Sequence, residues 1–122
     1  MNIYSLLNVA VIIALTIISG LGDAKGFLHA SNIWREGQVV WPEVGKSSLG
    51  FGIGIITYWL IIRYLQRVGV VSPEIQTILW FSATIIGIAL LSGRFMTWQR
   101  IDQVIAIFVV LGVGWLLFRI GE

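Results

Sequence analysis

Residues 3–22 read IYSLLNVAVIIALTIISGLG, twenty consecutive positions without a charged side chain. A helix of this length rises about 30 Å, which matches the hydrocarbon thickness of a bilayer. A secretory signal would start with basic residues and would have a shorter apolar core. We therefore predict that residues 3–22 form a membrane-spanning helix that the protein retains.

Three further apolar stretches follow, at 49–65, 75–93 and 101–120. They are close to the length of a spanning helix, and none alternates polar and apolar residues as a transmembrane β-strand would. The chain is 57% hydrophobic and only 11% charged, which leaves too little polar surface to cover a water-soluble domain. The sequence predicts one all-α integral membrane domain over residues 1–122, with four transmembrane helices and a long first connection at 23–48.

The first connection mixes charged residues with large apolar ones such as Phe27, Trp34 and Trp41. A flexible polar linker would not contain these side chains, because they are costly to leave in water. Two placements stay open. The connection lies along the membrane interface, or the first helix extends well beyond Gly22 and carries Asp23 into the membrane.

Helix ends carry their own signals. Ser72, Pro73 and Glu74 combine a cap residue, a first-turn proline and an acid at the positive end of a helix dipole, which predicts the start of the third helix. Arg63 and Arg67 lie four residues apart at the end of the second span. Their long side chains can reach the headgroups, so they indicate an aqueous boundary.

Positive charges divide unevenly between the two sides of the predicted bundle. Three lie on the side of the amino terminus and five on the opposite side, namely Arg63, Arg67 and Arg119 against Lys25, Arg35, Lys46, Arg94 and Arg100. By the positive-inside rule this distribution places both termini outside the cytoplasm. The difference is small enough that insertion in both orientations also stays open.

Composition excludes several classes of function. Without cysteine and with the single histidine His29, the chain has no set of thiolates or imidazoles for a metal, and we expect no cofactor. The net charge of +2 comes from scattered residues, which argues against nucleic acid as a partner. We identify no nucleophile beside a base, no paired carboxylates and no phosphate-binding glycine loop, so we predict that the protein is not an enzyme.

From Trp41 onward the order of short motifs follows a known pattern. These motifs are WPEVG at 41–45, YWL at 58–60, ILW at 78–80, QRID at 99–102 and LGVG at 111–114. Together they resemble the small multidrug resistance family, the four-helix branch of the drug/metabolite transporter superfamily. The resemblance covers about four-fifths of the chain and consists of short motifs in a shared order.

The resemblance implies a multi-pass protein of a cell membrane, the inner membrane in bacteria, that moves a small or amphipathic solute, including cations, with proton coupling. It also implies a homodimer or a pair of homologues. Gly112 and Gly114 look like the surface through which that family pairs its fourth helices. Small residues support this reading independently, because helices in lipid associate by close backbone approach. The expected partners are thus the bilayer, a second copy and a small solute.

Two residues stand where the family has its central site. That family places a proton-binding and cation-binding glutamate in its first helix and a substrate-stacking tryptophan in its third. When positions are counted back from Trp41 and Pro42, Asp23 falls near the position of the family's glutamate. Trp80 matches the position of the family's tryptophan. Residues 3–22 contain no acid, so Asp23 is the nearest candidate.

Three further residues complete the candidate solute or coupling site. Thr77 stands in the place of a binding-site tyrosine of the family, so the drug specificity of that family does not carry over. Tyr58 belongs to the second-span motif, and Gln76 carries an amide that is costly to hide among apolar groups.

Asp23 has two interpretations. Inside a dimer cavity its charge would be disfavoured by burial, so a proton and a cation could compete for the carboxyl, which is the basis of antiport. Alternatively, Asp23 and Lys25 mark the water boundary after a span of ordinary length. They cannot pair with each other along one helix face, because residues two apart point in different directions.

Two other functions stay open beside transport. A non-transporting accessory subunit of a larger membrane complex would use the same helices for contacts, without a polar cavity. A lipid-linked carrier flippase of the same superfamily would depend less on the family's glutamate.

Glycines at 50, 52 and 54 alternate near the start of the second span. They indicate tight packing against the first helix, and a hinge is the functional alternative.

Overall fold

Four α-helices make up most of the described chain. The computed structural model describes residues 3–120, apart from the side chains at positions 113, 117, 118 and 120. In chain order the elements are α1 (Ile3–Ala30), β1 (Trp34–Arg35), β2 (Gln38–Val39), α2 (Trp41–Arg67), α3 (Pro73–Ser92), a short 3₁₀ helix (Arg94–Thr97) and α4 (Arg100–Ile120).

The first two helices are longer than the apolar runs that indicate them. α1 continues eight residues beyond Gly22, and α2 begins at Trp41 instead of near residue 49. Charged side chains do not end these helices, because a helix satisfies its own backbone amides wherever its side chains point. The first connection is therefore 31–40, much shorter than the expected 23–48.

This short connection is an ordered hairpin. β1 and β2 pair antiparallel, and the Val40 amide donates to the Ile33 carbonyl at 2.7 Å. Glu36 and Gly37 occupy the two turn positions with φ of 53° and 77°, the left-handed pair that a two-residue hairpin of type I′ requires. The hairpin brings α2 back antiparallel to α1.

The predicted start of α3 is confirmed, but the cap differs. α3 begins at Pro73, in the first turn, as the Ser-Pro-Glu pattern indicates. The Ser72 hydroxyl donates to the Glu74 carboxylate at 2.6 Å and makes no hydrogen bond to the helix backbone. The helix ends at Ser92, followed by Gly93 in the left-handed conformation at φ 67°.

α1 lies between α2 and α3 and contacts both. Its buried face consists of small and polar residues instead of large apolar ones, namely Ser19, Gly20, Asp23, Ala24 and Gly26. In lipid, such residues let helix backbones approach closely and gain van der Waals contact.

Glycines spaced four apart bring α1 and α2 into backbone contact. Gly22 and Gly26 on α1 face Gly50 and Gly54 on α2. A Cβ built on Gly50 would lie 2.7 Å from the Gly22 oxygen and 2.7 Å from the Gly26 nitrogen. Tight packing is thus confirmed for Gly50 and Gly54 and wrong for Gly52, whose Cβ would meet nothing within 4 Å, because residues two apart lie on different helix faces.

Two serine hydroxyls connect the same pair of helices. Ser19 on α1 donates to the Gly54 carbonyl at 2.8 Å, and Ser47 on α2 donates to the Gly26 carbonyl at 2.8 Å. Both bonds are buried. Each glycine exposes its carbonyl to the neighbouring helix because no side chain covers it, so the small residues permit both the close contact and the hydrogen bonds.

The contact between α1 and α3 follows the same pattern with the helices parallel. A Cβ on Gly20 would lie 2.8 Å from the Ala83 oxygen, and one on Gly87 would lie 2.8 Å from the Gly20 oxygen. The same added Cβ on Gly87 would lie 3.1 Å from the Cβ of Ala24, so Gly87 is level with Ala24. The position of Asp23 relative to α3 is fixed by these contacts.

α1, α2 and α3 are long and apolar enough to cross a membrane, which fits a membrane protein. α4 has 21 residues and is not among the three helices that length and hydropathy indicate as spans in the described part of the chain, so the fourth span stays a prediction. It packs mainly along α3, and none of its described side chains is buried. Among the described residues, nothing lies within 4 Å of a Cβ added to Gly112 or Gly114, and the nearby side chains at 113, 117 and 118 lie outside the described residues.

Candidate functional site

Asp23 is fully enclosed in the middle of the helix bundle. Its relative exposure is 0%, and α1 continues for seven residues beyond it, about 10 Å of helix. The first helix thus extends well beyond Gly22, as one of the two placements left open by the sequence expects, and Asp23 is enclosed by the neighbouring helices.

The Asp23 carboxyl meets α3 at two residues. Trp80 Nε1 donates to Asp23 Oδ2 at 2.5 Å. The Thr84 side chain also lies close enough to interact with the carboxyl. Within residues 3–120, however, neither Asp23 Oδ1 nor Thr84 Oγ1 has a hydrogen-bond partner within 3.5 Å. One side of the carboxyl is thus anchored and the other is left unsatisfied.

The third wall of the site is the backbone of α2. A Cβ on Gly54 would overlap the Asp23 carboxyl, so only glycine leaves room for the acid at this position. Gly54 in turn accepts the hydrogen bond from Ser19 through its carbonyl. The helix contact and the acid site therefore depend on the same glycine.

The depth of the site follows from the bounds of α3. Trp80 and Thr84 lie on either side of the midpoint of its 20 residues. A helix of this length is about 30 Å long, one hydrocarbon thickness. The Asp23 carboxyl, which contacts Trp80, is accordingly level with the middle of α3.

Aromatic rings and a small cavity adjoin the acid. Tyr58 on α2 contacts Trp80, with ring centroids 5.3 Å apart and an interplanar angle of 37°. Beside them lies a cavity of about 10 Å³, at the lower limit for one water molecule, lined among others by Thr16, Ser19 and Gln76. Aromatic faces can bind a cation, but this cavity is too small for an organic solute.

The structure brings together four of the five candidate solute or coupling residues. Asp23 and Trp80 touch, and the Tyr58 ring contacts Trp80 at a tilt. Gln76 lines the adjoining cavity, and its amide donates to the Val70 carbonyl at 3.2 Å. Thr77 is the exception. Its hydroxyl donates to the Pro73 carbonyl of its own helix at 2.7 Å, and it does not line the cavity.

The charged residues that accompany Asp23 into α1 are accommodated separately. Lys25 is exposed on the outer face of the helix, five residues before its end, where a long side chain can reach the headgroups. His29 Nδ1 lies 2.6 Å from Glu43 Oε2 in the first turn of α2. This contact links the adjoining ends of α1 and α2 near the hairpin.

Sequence reasoning missed Gly54 and Thr84 as neighbours of the acid. The spacing of Gly22 with Gly26 and of Gly50 with Gly54 is a signal that could have revealed the helix pairing. Once α1 and α2 are paired through these glycines, Asp23 has to face Gly54. For Thr84 the sequence offers no comparable signal.

Trp80→Phe is expected to lower the free energy of unfolding by about 1–3 kcal/mol, because it removes the only hydrogen-bond donor that the described residues place within 3.5 Å of the buried carboxyl and retains most of the ring. Unfolding in mixed detergent micelles, followed by circular dichroism, measures this change. The matched control is Trp59→Phe, since Trp59 is 65% exposed on the outside of α2.

A double-mutant cycle identifies the cause. In an Asp23→Leu background the additional cost of Trp80→Phe should largely disappear, because no carboxyl is left to lose its donor. An equal cost in both backgrounds would attribute the effect to ring packing and contradict the hydrogen-bond explanation.

No protein-family model, curated protein or solved structure matches this chain in comparisons with known proteins.

Proposed function

We propose that this chain is a transporter-like membrane protein that moves a small amphipathic or cationic solute, coupled to protons through Asp23, as a dimer with a second copy or a homologue. The observation that carries the proposal is the buried Asp23 carboxyl at the middle of the helix bundle, bonded on one side to Trp80 and unsatisfied on the other. Ionisable residues at such depth usually serve a function, because they are costly to keep.

The chemistry around Asp23 suits alternating occupancy by a proton or a cation. Within residues 3–120 no basic side chain lies within 4.0 Å of the carboxyl, so no fixed positive charge neutralises it. A proton or a cationic solute would do so. Tyr58 and Trp80 offer aromatic faces beside the acid, which attract an organic cation through the ring quadrupole.

The resemblance to the small multidrug resistance family supports the same proposal from another direction. It implies an acid on the first helix beside a tryptophan on the third, and Asp23 and Trp80 are in contact although they are 57 residues apart in the chain. Thr77 in place of the family's tyrosine leaves the identity of the solute open.

A dimer is part of the proposal because one chain leaves too little space beside the acid. The cavity beside Trp80 has a volume of about 10 Å³, so a solute needs room supplied by movement or by a second copy. In the described part of α4, no atom within 4 Å of a Cβ on Gly112 or Gly114 would oppose close approach by another helix. The proposed location is a cell membrane, the bacterial inner membrane, with the five basic residues opposite the termini on the cytoplasmic side.

Asp23→Asn tests the proposal, because it keeps the size of the side chain and removes its capacity to exchange a proton or neutralise a cation. In proteoliposomes with an imposed pH gradient, the unaltered protein should take up a fluorescent amphipathic cation such as ethidium. Asp23→Asn should abolish this uptake. The matched control is Asp102→Asn, which removes the same charge from the exposed first turn of α4.

Uptake in the control variant at the level of the unaltered protein, with none in Asp23→Asn, would support coupling at Asp23. Equal uptake in all three proteins, or no uptake driven by the gradient in any of them, would contradict the proposal.

One observation favours a second function, that of an accessory subunit. None of the described side chains of α4 is buried, and several of its large apolar side chains are exposed. A different membrane protein could contact this surface in place of a second copy. Purification in mild detergent together with other membrane proteins in a fixed stoichiometry, combined with the absence of uptake, would favour this function over transport.

A further inference from the structure

A long apolar groove separates α3 from α4, on the far side of α3 from the acid site. Its volume is about 590 Å³ and its lining is almost entirely apolar, with residues that include Ile85, Ala89, Phe95, Trp98, Ile107 and Val110. The groove is far larger than the cavity beside Trp80. Several of its residues are exposed, so its surface is open to the surroundings of the bundle.

The length of the groove matches one leaflet of a bilayer. Along α3 it extends from Ser82 to Ser92, which corresponds to about 15 Å of helix. Half of a hydrocarbon core of about 30 Å is the same distance. On α4 the lining runs from Ala106 to Leu111, six to eleven residues from the start of the helix at Arg100. The groove therefore reaches along α3 from its end at Ser92 to its middle, and it meets α4 near the middle of that helix.

Two arginines without a fixed partner are adjacent in the chain to residues that line one end of the groove, its mouth, although neither arginine is itself part of the lining. Arg94 lies between Gly93 and Phe95, which both line the groove, and Arg100 follows the lining residue Trp98 by two positions. Both arginines are exposed. Among the described residues no carboxylate lies within 4.0 Å of either guanidinium.

The mouth is also held in a defined shape. Gln103 Nε2 on α4 donates to the Phe95 carbonyl at 2.7 Å, and the Thr97 hydroxyl donates to the Arg94 carbonyl at 2.6 Å. The rings of Phe95 and Trp98 are in contact, with centroids 5.4 Å apart. Tryptophan prefers the level of the lipid headgroups, which fits this end of the groove.

We propose that the groove is a binding site for an anionic phospholipid, with one acyl chain between α3 and α4 and the phosphate group on Arg94 and Arg100. The apolar lining and the leaflet length fit the acyl chain. The unpaired guanidinium groups fit a phosphate, which they bind through parallel charged hydrogen bonds. This site is separate from Asp23 and does not depend on transport.

Native mass spectrometry of the full chain in detergent tests the proposal, with added phosphatidylglycerol or phosphatidylcholine of the same acyl chains. The unaltered protein should retain phosphatidylglycerol preferentially. The double variant Arg94→Gln, Arg100→Gln should lose about tenfold or more in apparent affinity for it. The matched control is Arg63→Gln, Arg67→Gln, which removes two arginines from the end of α2, away from the groove.

A second variant tests the acyl-chain part of the site. Ala106→Phe fills the groove and should reduce binding of both lipids, whereas Ala10→Phe, on the exposed side of α1, should leave it unchanged. An equal loss of phosphatidylglycerol in both double-arginine variants would overturn the proposal, because net charge alone would explain it. A change of oligomeric mass in Ala106→Phe with unchanged lipid binding would also overturn it, since a second copy would then occupy the groove.

Discussion

Gly50→Leu is expected to separate α1 from α2 and to lower the free energy of unfolding by about 3 kcal/mol or more. The Cβ of any side chain at this position would meet the backbone of Gly22 and Gly26, at 2.7 Å from an oxygen and from a nitrogen. Backbone atoms cannot rotate away as the end of a flexible side chain can. The helices must move apart, and the leucine requires far more space than its Cβ alone.

Separation of the helices would also break the hydrogen bonds that connect them. Ser19 and Ser47 would lose their carbonyl partners at Gly54 and Gly26, and these buried groups would be left unsatisfied. The effect on stability should therefore exceed that of overpacking an apolar core of the same size.

Gly52→Leu provides the matched control for this prediction. It introduces the same side chain two residues along the same helix, at a position where a Cβ meets nothing within 4 Å. Unfolding in mixed detergent micelles should show nearly unchanged stability for this variant. If Gly50→Leu were as stable as Gly52→Leu, the close contact of α1 with α2 would not exist in the folded protein.

Gly54→Ala is expected to disrupt the acid site with a single methyl group. The new Cβ would overlap the Asp23 carboxyl, so either the carboxyl leaves its place beside Trp80 or α2 moves outward. Overpacking of this kind costs about 1–3 kcal/mol. Because the carboxyl is displaced, uptake in proteoliposomes should also fall toward the level expected for Asp23→Asn.

The matched control is Gly52→Ala, which is expected to raise the free energy of unfolding, whereas Gly54→Ala is expected to lower it. Alanine in a helix is more favourable than glycine by roughly 0.5–1 kcal/mol, and Gly52 has no neighbour to oppose it. Unfolding measurements should find Gly52→Ala at least as stable as the unaltered protein and Gly54→Ala less stable. Stabilisation by both substitutions would show that Asp23 does not face Gly54.

The apolar runs predicted where helices occur but not where they end. Residues 3–22 lie within α1, yet the helix continues past Asp23 and Lys25 to Ala30. Hydropathy measures the cost of exposing side chains to lipid, and it does not record that a polar side chain can be enclosed by neighbouring helices. Helix ends that depend on local residue types are easier to predict from sequence, as the Ser-Pro-Glu start of α3 shows.

The candidate site was predictable in part. Asp23 and Trp80 were identified through the order of short motifs, and the geometry that joins them depends on contacts between residues far apart in the chain. Gly20, Gly22 and Gly26 set how α1 meets its two neighbours, and a single sequence does not say which glycine faces which helix. The role of Gly54 as a wall of the acid site follows only from the paired helices.

The helices of this bundle differ in length, and the difference falls on one side. Ala24 on α1 and Gly87 on α3 lie at the same level of the bundle. α1 starts 21 residues before Ala24, whereas α3 starts only 14 residues before Gly87, so the amino-terminal end of α1 extends about 10 Å beyond that of α3. Its first residues there, Ile3 and Tyr4, are largely exposed. A bilayer that matches α3 would be too thin for α1, and such a mismatch is relieved by tilting or by locally thicker lipid. In a membrane, the tilt of α1 would thus respond to the thickness of the surrounding bilayer.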